Sequence, residues 1–198
     1  MTLSIASKEI LRLRMTAERR AAAAARPDAG RHAARVFMDH VPIPEGATVS
    51  LYHPMKDELD TKPLAMALIE RGFTIALPVT PKKRGPLTFR SFNEGDPLSA
   101  DRYGVMTPSE AAPVVTPSIV VTPLLAFTRD GKRLGYGGGY YDRTLAAMRA
   151  AGKVLAVGFA FGAQEVETMP FGKNDQRIDM IVTEREAIDA RRWKDRSQ

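Results

Sequence analysis

The chain has 198 residues, of which 44% are hydrophobic, and this predicts a single domain with a substantial core over residues 1–198. It contains no cysteine, which excludes a disulfide framework, a thiolate nucleophile and a zinc–thiolate site. Lysine and arginine outnumber aspartate and glutamate by 29 to 23, and this modest excess favours anionic partners without selecting nucleic acid.

The N-terminal segment predicts a long basic helix. Residues 4–25 contain neither glycine nor proline, so their summed propensity favours a helix, which Pro27 ends before a second helix that runs to about His40. Lys8 and Arg12 are four residues apart in the first helix and therefore share a face. Two interpretations are open: a solvated basic surface, or a contact to a bound polyphosphate that turns the mutual repulsion into attraction.

The same N-terminal charges argue against export. Lys8, Arg12 and Arg14 stand where a signal peptide would need its apolar stretch. No apolar run approaches the roughly 20 residues that a membrane-spanning helix needs. We therefore expect a cytoplasmic protein without a membrane partner, and the dispersed basic residues with few aromatics also argue against nucleic acid as a partner.

A strand, a helix and a second strand are predicted next. Residues 47–52 and 73–79 read as strands, and Thr61 and Gly72 supply the start and stop signals of the helix between them. This order is typical of parallel sheets that carry helices on both faces.

Polar residues follow the first predicted strand. His53 and Glu58 lie between this strand and the next helix. In open α/β sheets ligands bind outside the carboxyl ends of the strands, which would let Glu58 meet the amide and amine donors of a substrate. The alternative is that the acidic residues here only favour the start of the helix, and spacing does not separate the two.

The rest of the chain predicts one irregular stretch and several buried elements. Residues 80–116, rich in proline, glycine and charge, are predicted to hold one short strand at residues 87–92 and irregular loops. The apolar run at residues 119–127 predicts one central buried strand. The remaining predicted elements are a helix and two strands, the second of which is the last of the chain: residues 140–151, 154–161 and 178–183.

The glycine-rich loop before the predicted helix at residue 140 is the most informative segment. Four of the five residues 135–139 are glycine, so the backbone can turn its N–H groups toward an anion at the start of the helix. The loop is neither a Walker A motif nor a G-x-G-x-x-G fingerprint, since Tyr140 replaces the last glycine. Arg133 adds a planar donor fork for phosphate, and Asp142 offers a hard oxygen ligand for Mg²⁺. The alternative is a flexible surface turn, with Asp142 favourable only to the helix dipole.

Asp175 is a second candidate metal ligand. It lies in the loop before the last predicted strand and would complete a Mg²⁺ site with Asp142, but the sequence leaves their spatial distance open. The histidines have no metal-ligand spacing.

Together these residues resemble the 5-formyltetrahydrofolate cyclo-ligase family, also called methenyltetrahydrofolate synthetase, over nearly the whole chain. The run from Arg133 to Asp142 is the most specific signature. The other matching segments occur in the same order: Lys8 and Arg12, Glu58, Tyr103-Gly104-Val105 with Pro108, Val157-Gly158 with Gln164 and Pro170, and Asp175 ahead of residues 181–184. The resemblance implies a three-layer α/β/α fold around a mostly parallel sheet, similar to the ribose-phosphate isomerase and CoA-transferase group.

The resemblance also implies ligands for individual residues and no catalytic side chain. The implied ATP-binding residues are Lys8, Arg12, Arg133, Leu134, Gly135, Tyr136, Gly137, Gly138, Gly139, Tyr140 and Tyr141. The implied folate-binding residues are His53, Glu58, Tyr136, Gly137, Gly138, Gly139 and Tyr140. The implied Mg²⁺ ligands are Asp142 and Asp175.

The implied reaction starts when the N5-formyl oxygen attacks the γ-phosphorus of ATP. N10 then attacks the activated carbon, and loss of phosphate gives 5,10-methenyltetrahydrofolate, ADP and inorganic phosphate. Phosphoryl transfer needs positioning and charge neutralisation more than a protein nucleophile, so the missing cysteine is no obstacle. The expected substrate is 5-formyltetrahydrofolate, with or without a polyglutamate tail, and the chain is expected to act as a monomer.

Two other functions remain open. A nucleotide- or RNA-binding relative without ligase activity would be expected to lack Asp142, Glu58 or Arg133, and this chain has all three. A sugar-phosphate isomerase on the same scaffold would need no ATP, and fold alone does not distinguish it from a ligase.

Overall fold

The structure, a computed structural model, describes residues 2–194 and the side chains of residues 6–193. The predicted domain limits at residues 1 and 198 lie outside the described residues. The helices are α1 (Thr2–Ala25), α2 (Ala29–His40), α3 (Lys62–Glu70), α4 (Tyr140–Ala151) and α5 (Arg191–Lys194). The strands are β1 (Thr48–Ser50), β2 (Thr74–Val79), β3 (Thr88–Phe92), β4 (Leu98–Ala100), β5 (Met106–Pro108), β6 (Val114–Val115), β7 (Ile119–Thr122), β8 (Ala126–Phe127), β9 (Arg133–Leu134), β10 (Leu155–Phe159), β11 (Met180–Val182) and β12 (Ala187–Asp189).

A sheet of eight strands forms the centre of the fold, in the order β12-β11-β10-β7-β1-β2-β3-β6. Strands β11, β10, β7, β1 and β2 pair in parallel, while β12, β3 and β6 pair antiparallel at the two sides. From β1 the chain continues outward to β2, whereas from β7 it continues to β10 and β11 on the other side. The order therefore reverses between β1 and β7, and such a switch point opens a crevice at the carboxyl ends of the strands.

Both faces of the sheet are covered, as the sequence of strand β7 requires. All four residues of β7, which are Ile119, Val120, Val121 and Thr122, are buried. Helices α2 and α3 pack on one face through side chains such as Phe37 and Leu64. Helix α4 packs on the other face through Leu145. The predicted α/β fold, with a mostly parallel sheet between layers of helices, is confirmed.

Helix α1 packs on a third, smaller cluster of apolar side chains. Met15 on α1 contacts this cluster together with Leu125, Ala126 and Leu134 of the β8–β9 hairpin and Met169. Because β9 leads directly into the glycine-rich loop, this packing sets α1 beside that loop. No helix in the described part of the chain is long and apolar enough to cross a membrane.

Three predictions about strands were wrong. The run at residues 119–127 forms two strands, because Pro123 has no N–H to continue the ladder and the chain turns there. Strand β8 then pairs antiparallel with β9, which contains Arg133. Residues 80–116 hold β4, β5 and β6 besides the predicted strand, and β12 follows the strand that was predicted to be the last. These strands have two or three residues each, too short for a periodic signal.

Candidate active site

The glycine-rich loop, residues 135–139, lies at the switch point of the sheet. It follows the hairpin that continues from β7 and precedes α4, whose first turn contains Asp142. Gly137 has φ +101°, a conformation that favours glycine, and Gly139 stands immediately before the helix. The start of a helix attracts anions, so the loop is placed to receive one.

Arg133, which is buried, and Asp142, which is partly exposed, form an ion pair on either side of the loop. Arg133 donates from Nη2 to Oδ1 of Asp142 over 2.9 Å and from Nη1 to the carbonyl of Gln176 over 2.6 Å. Burial lowers the pKa of Arg133, and the neighbouring carboxylates of Asp142 and Asp175 oppose this effect. The pair fixes Asp142 in the first turn of α4.

Helix α1 brings two further predicted residues to the loop. Nε of Arg12 donates to the carbonyl of Gly135 over 2.9 Å, and its guanidinium lies beside Gly137. Lys8 forms an ion pair with Asp175 and is about one-fifth exposed. Both side chains are half-buried and contact residues of the candidate site.

Glu58 meets the glycine-rich loop from the side of β1. The hydroxyl of Tyr136 donates to Oε1 of Glu58 over 2.7 Å, and the backbone N–H of Met55 donates to Oε2 over 2.9 Å. Burial raises the pKa of Glu58, while the N–H of Met55, the hydroxyl of Tyr136 and the charge of Arg19 lower it. Burial of its hydroxyl end, followed by the charge of Glu58, raises the pKa of Tyr136 and keeps this hydroxyl a hydrogen-bond donor.

His53 lines a cavity beyond the end of β1. This cavity has a volume of about 410 Å³, and it lies between the end of β1, helix α3 and strands β2 to β4. Its lining is mostly apolar and includes Met66 and Ile69 of α3, which are exposed. A cavity of this size is in the range that small-molecule ligands occupy.

The remaining predicted loop residues have separate surroundings. The side chain of Leu134 is buried under α1, and Tyr141 packs toward the core on the α4 face of the sheet. The hydroxyl of Tyr140 lies 2.9 Å from that of Tyr103, on the hairpin between β4 and β5. The ring of Tyr140 also lies near Gly138, whose Cβ position would be 2.9 Å from it. Larger residues at position 138 would therefore displace Tyr140.

Sequence reasoning missed Arg19, which lies on the same face of α1 as Lys8 and Arg12. It is only 2% exposed, and its Nη1 donates to the hydroxyl of Tyr136 and lies 3.7 Å from Oε1 of Glu58. The signal was present in the sequence, because residues 8, 12, 15 and 19 follow the spacing of one helix face. The buried Met15 between the basic residues marks that face as the inner one.

The oxygens of Asp142 and Asp175 fit Mg²⁺ as ligands. Within the described residues no group of three or more histidine, cysteine, aspartate or glutamate side chains is placed to hold a metal ion. Mg²⁺ is commonly bound by one or two carboxylates together with substrate phosphates, so two aspartates beside a glycine-rich loop suit it. The backbone N–H of Gln176, the residue after Asp175, donates to Oδ1 of Asp142 over 2.9 Å, so the two aspartates lie near one another.

These features define a three-layer α/β protein with a glycine-rich loop at its switch point. Comparison with known proteins gives the family. The 5-formyltetrahydrofolate cyclo-ligase family matches residues 4–184, and the chain belongs to this family. The predicted family, its fold and its ligase class are confirmed.

Individual relatives agree with this assignment. The 5-formyltetrahydrofolate cyclo-ligase of Escherichia coli K12 is 34% identical over 159 residues, which cover 78% of this chain and 87% of that one. The enzyme of the same name from Mycolicibacterium smegmatis is 28% identical over 198 residues, with 96% and 100% covered. The solved structure of Aquifex aeolicus 5,10-methenyltetrahydrofolate synthetase superimposes with a TM-score of 0.72 at 27% identity, and 93% of each chain is covered.

Proposed function

We propose that this chain closes 5-formyltetrahydrofolate to 5,10-methenyltetrahydrofolate at the expense of ATP, with Mg²⁺ bound at Asp142 and Asp175. The observation that carries the proposal is the hydrogen bond of 2.7 Å from Tyr136 to Glu58. It joins the loop assigned to ATP to the carboxylate assigned to the folate, so the two substrates would meet at this contact. Family membership supports both assignments.

The ATP phosphates would lie on the glycine-rich loop and the start of α4. The N–H groups of the loop and the helix dipole favour negative charge there. Arg12 already contacts the loop carbonyl of Gly135, and Lys8 contacts Asp175, so both cations are within reach of bound phosphates. When bound, Mg²⁺ would neutralise phosphate charge at Asp142 and Asp175.

The folate would extend from Glu58 into the cavity beside His53. A carboxylate that accepts from Met55 and Tyr136 is oriented, and its remaining lone pairs suit the amine and amide donors of the pterin ring. The apolar lining of the cavity, including Met66, suits the aromatic part of the substrate. Glu58 therefore positions the ring and transfers no proton.

The chemistry then needs little beyond this placement. The formyl oxygen attacks the γ-phosphorus, and ADP leaves. N10 attacks the activated carbon and loses its proton, and phosphate leaves with the former formyl oxygen. The side chains of Lys8, Arg12 and Arg133 supply positive charge where negative charge accumulates on the phosphoryl oxygens.

The test is to mix the protein with 5-formyltetrahydrofolate, ATP and Mg²⁺ and to follow the near-ultraviolet absorbance of methenyltetrahydrofolate. ADP and phosphate should appear in equal amounts with the product. Omission of ATP, or chelation of the metal ion, should abolish the signal. Product formation without nucleotide would contradict the proposal, and isomerisation of a sugar phosphate in its place would favour an isomerase on the same scaffold.

The expected setting of this reaction is also part of the proposal. We propose a cytoplasmic monomer that accepts the folate with or without a polyglutamate tail. Sedimentation of the purified protein tests the oligomeric state. A comparison of KM for the mono- and polyglutamylated substrates tests whether both forms are accepted.

A further inference from the structure

Arg19 has surroundings that are unusual for a surface-helix arginine. It is only 2% exposed and is one of the largest fully buried side chains of the described residues. The opposite face of the same helix carries the exposed side chains of Ile10 and Leu13. Its Nε is buried and has no hydrogen-bond partner among the described residues. A buried charge with an unsatisfied donor costs stability, so an apolar side chain would serve packing better.

The guanidinium of Arg19 is joined to Glu58 in two ways. Its Nη1 donates to the hydroxyl of Tyr136, which in turn donates to Oε1 of Glu58. The same Nη1 lies 3.7 Å from that oxygen, and the side chains of Arg19 and Glu58 are 2% and 4% exposed. The hydroxyl of Tyr136 accepts from one side and donates to the other, so its proton is directed at the carboxylate.

Arg19 provides the positive charge at Glu58. Tyr136 from the loop also acts on Glu58, and the charge of Glu58 in turn raises the pKa values of Tyr52 at the end of β1 and Tyr141 on α4. Tyrosines with raised pKa values are neutral at physiological pH, and burial of Glu58 alone would favour the protonated acid. The N–H of Met55, the hydroxyl of Tyr136 and the charge of Arg19 oppose that effect.

We propose that Arg19 is a positioning residue that keeps Glu58 ionised and, through Tyr136, directs it toward the donor groups of the folate ring. This inference rests on the proposed function, because it assigns Glu58 to the folate. If the role of Arg19 were purely structural, its loss would lower stability but would not raise KM for one substrate more than KM for the other.

The experiment compares Arg19→Met with Arg20→Met, its matched control. Arg20 is the next residue of α1, and its side chain is 72% exposed beside Asp57. We expect Arg19→Met to raise KM for 5-formyltetrahydrofolate by about tenfold or more, because it removes a charge-assisted contact. KM for ATP should stay within about twofold of the parent value, because the variant loses a contact that serves only the folate. Arg20→Met should have the parent KM for both substrates.

The pH profile separates positioning from folding. Without Arg19 the pKa of Glu58 rises further. The acid side of the pH profile, where kcat/KM for folate falls as the pH is lowered, should therefore move to higher pH. Arg19→Lys retains a positive charge and should restore the acid side toward that of the parent. If Arg19→Met does not fold, Tyr136→Phe removes the hydroxyl between Arg19 and Glu58 and should move the acid side in the same direction.

The outcomes that overturn the inference are distinct from those that overturn the function. A parent protein that forms no methenyltetrahydrofolate would refute the proposed function. An active parent with unchanged folate KM and an unchanged acid side in Arg19→Met would refute only the inference, as would an equal rise in both KM values. In the case of an unfolded Arg19→Met, an unmoved acid side in Tyr136→Phe would refute it.

Discussion

Arg133 and Asp142 hold each other through a hydrogen bond of 2.9 Å between Nη2 and Oδ1. The backbone N–H of Gln176 donates to the same Oδ1, also over 2.9 Å. Because both bonds end on one oxygen, Oδ2 of Asp142 is the candidate ligand for Mg²⁺. The arginine is 5% exposed and the aspartate 27%, so the ion pair orients the carboxylate while leaving it accessible.

Asp142→Asn should abolish most of the ligase activity. The amide keeps the size of the side chain and an oxygen that accepts from Arg133 and Gln176, but it lacks the charge that binds Mg²⁺. We expect the free energy of unfolding to fall by about 1–3 kcal/mol, since a charge-assisted hydrogen bond becomes a neutral one. Turnover at varied Mg²⁺ concentration, measured beside denaturant unfolding, checks both effects.

The control for this variant is Asp39→Asn, which changes an exposed aspartate on α2. It should behave as the parent in both measurements. Near-parental turnover of Asp142→Asn with an unchanged Mg²⁺ requirement would show that Asp142 serves only the start of α4.

Arg12→Ala should weaken the use of ATP. The guanidinium of Arg12 bonds to the carbonyl of Gly135 and would contact phosphate, and loss of a charge-assisted contact should raise KM for ATP by roughly ten- to hundredfold. Arg14→Ala removes the same charge from an exposed position of the same helix and should leave KM unchanged. Initial rates at varied ATP concentration compare the two. Equal KM values for ATP in the two variants would show that Arg12 does not contact ATP.

The sequence predicted most of the long elements because their signals are local. Helix α4 has the predicted limits, and α3 begins directly after Thr61, as this start signal indicated. The short strands β8 and β9 escaped prediction, because two residues carry no period and their pairing is decided by tertiary contacts. The carboxyl-edge position of Glu58 followed from its place after a strand, but its contact with Tyr136 did not.

Arg19 shows why the candidate site was only partly predictable. Its type and helical spacing were visible, but a surface arginine and a buried one look alike in a sequence. What decides between them is the packing of α1 on the β8–β9 hairpin, a contact between segments more than a hundred residues apart. The burial of Met15 identifies the inner face of α1.

Glu58 should make folate binding and stability respond to pH in opposite directions. Burial raises its pKa in the folded protein, so as the pH falls it is protonated before an ordinary glutamate. KM for 5-formyltetrahydrofolate should therefore rise in mildly acidic buffer. A folded-state pKa above the unfolded value means that Glu58 contributes more stability at low pH, and this contribution is lost as the pH rises through the folded-state pKa.

Glu58→Gln isolates this effect, and Glu70→Gln at the exposed end of α3 is its control. The first variant should show a high folate KM at every pH and no acid side in its kcat/KM profile. The second should reproduce the parent profile. An acid side that persists in Glu58→Gln would assign the titration to another group.

Gly137→Ala should impair ATP use beyond its cost in stability. At φ +101° a side chain strains the backbone, and the added Cβ would lie 3.4 Å from Nη2 of Arg12. Gly46→Ala is the matched control, because Gly46 has φ +68° and no atom within 4 Å of the added Cβ. Each variant should lose at least about 1 kcal/mol of unfolding free energy through backbone strain. Only Gly137→Ala should also raise KM for ATP, because the added methyl group would displace Arg12 and reduce the space in the loop for the phosphates. Parallel melting curves and ATP titrations test this, and a parental KM in Gly137→Ala would mean that the phosphates do not contact this part of the loop.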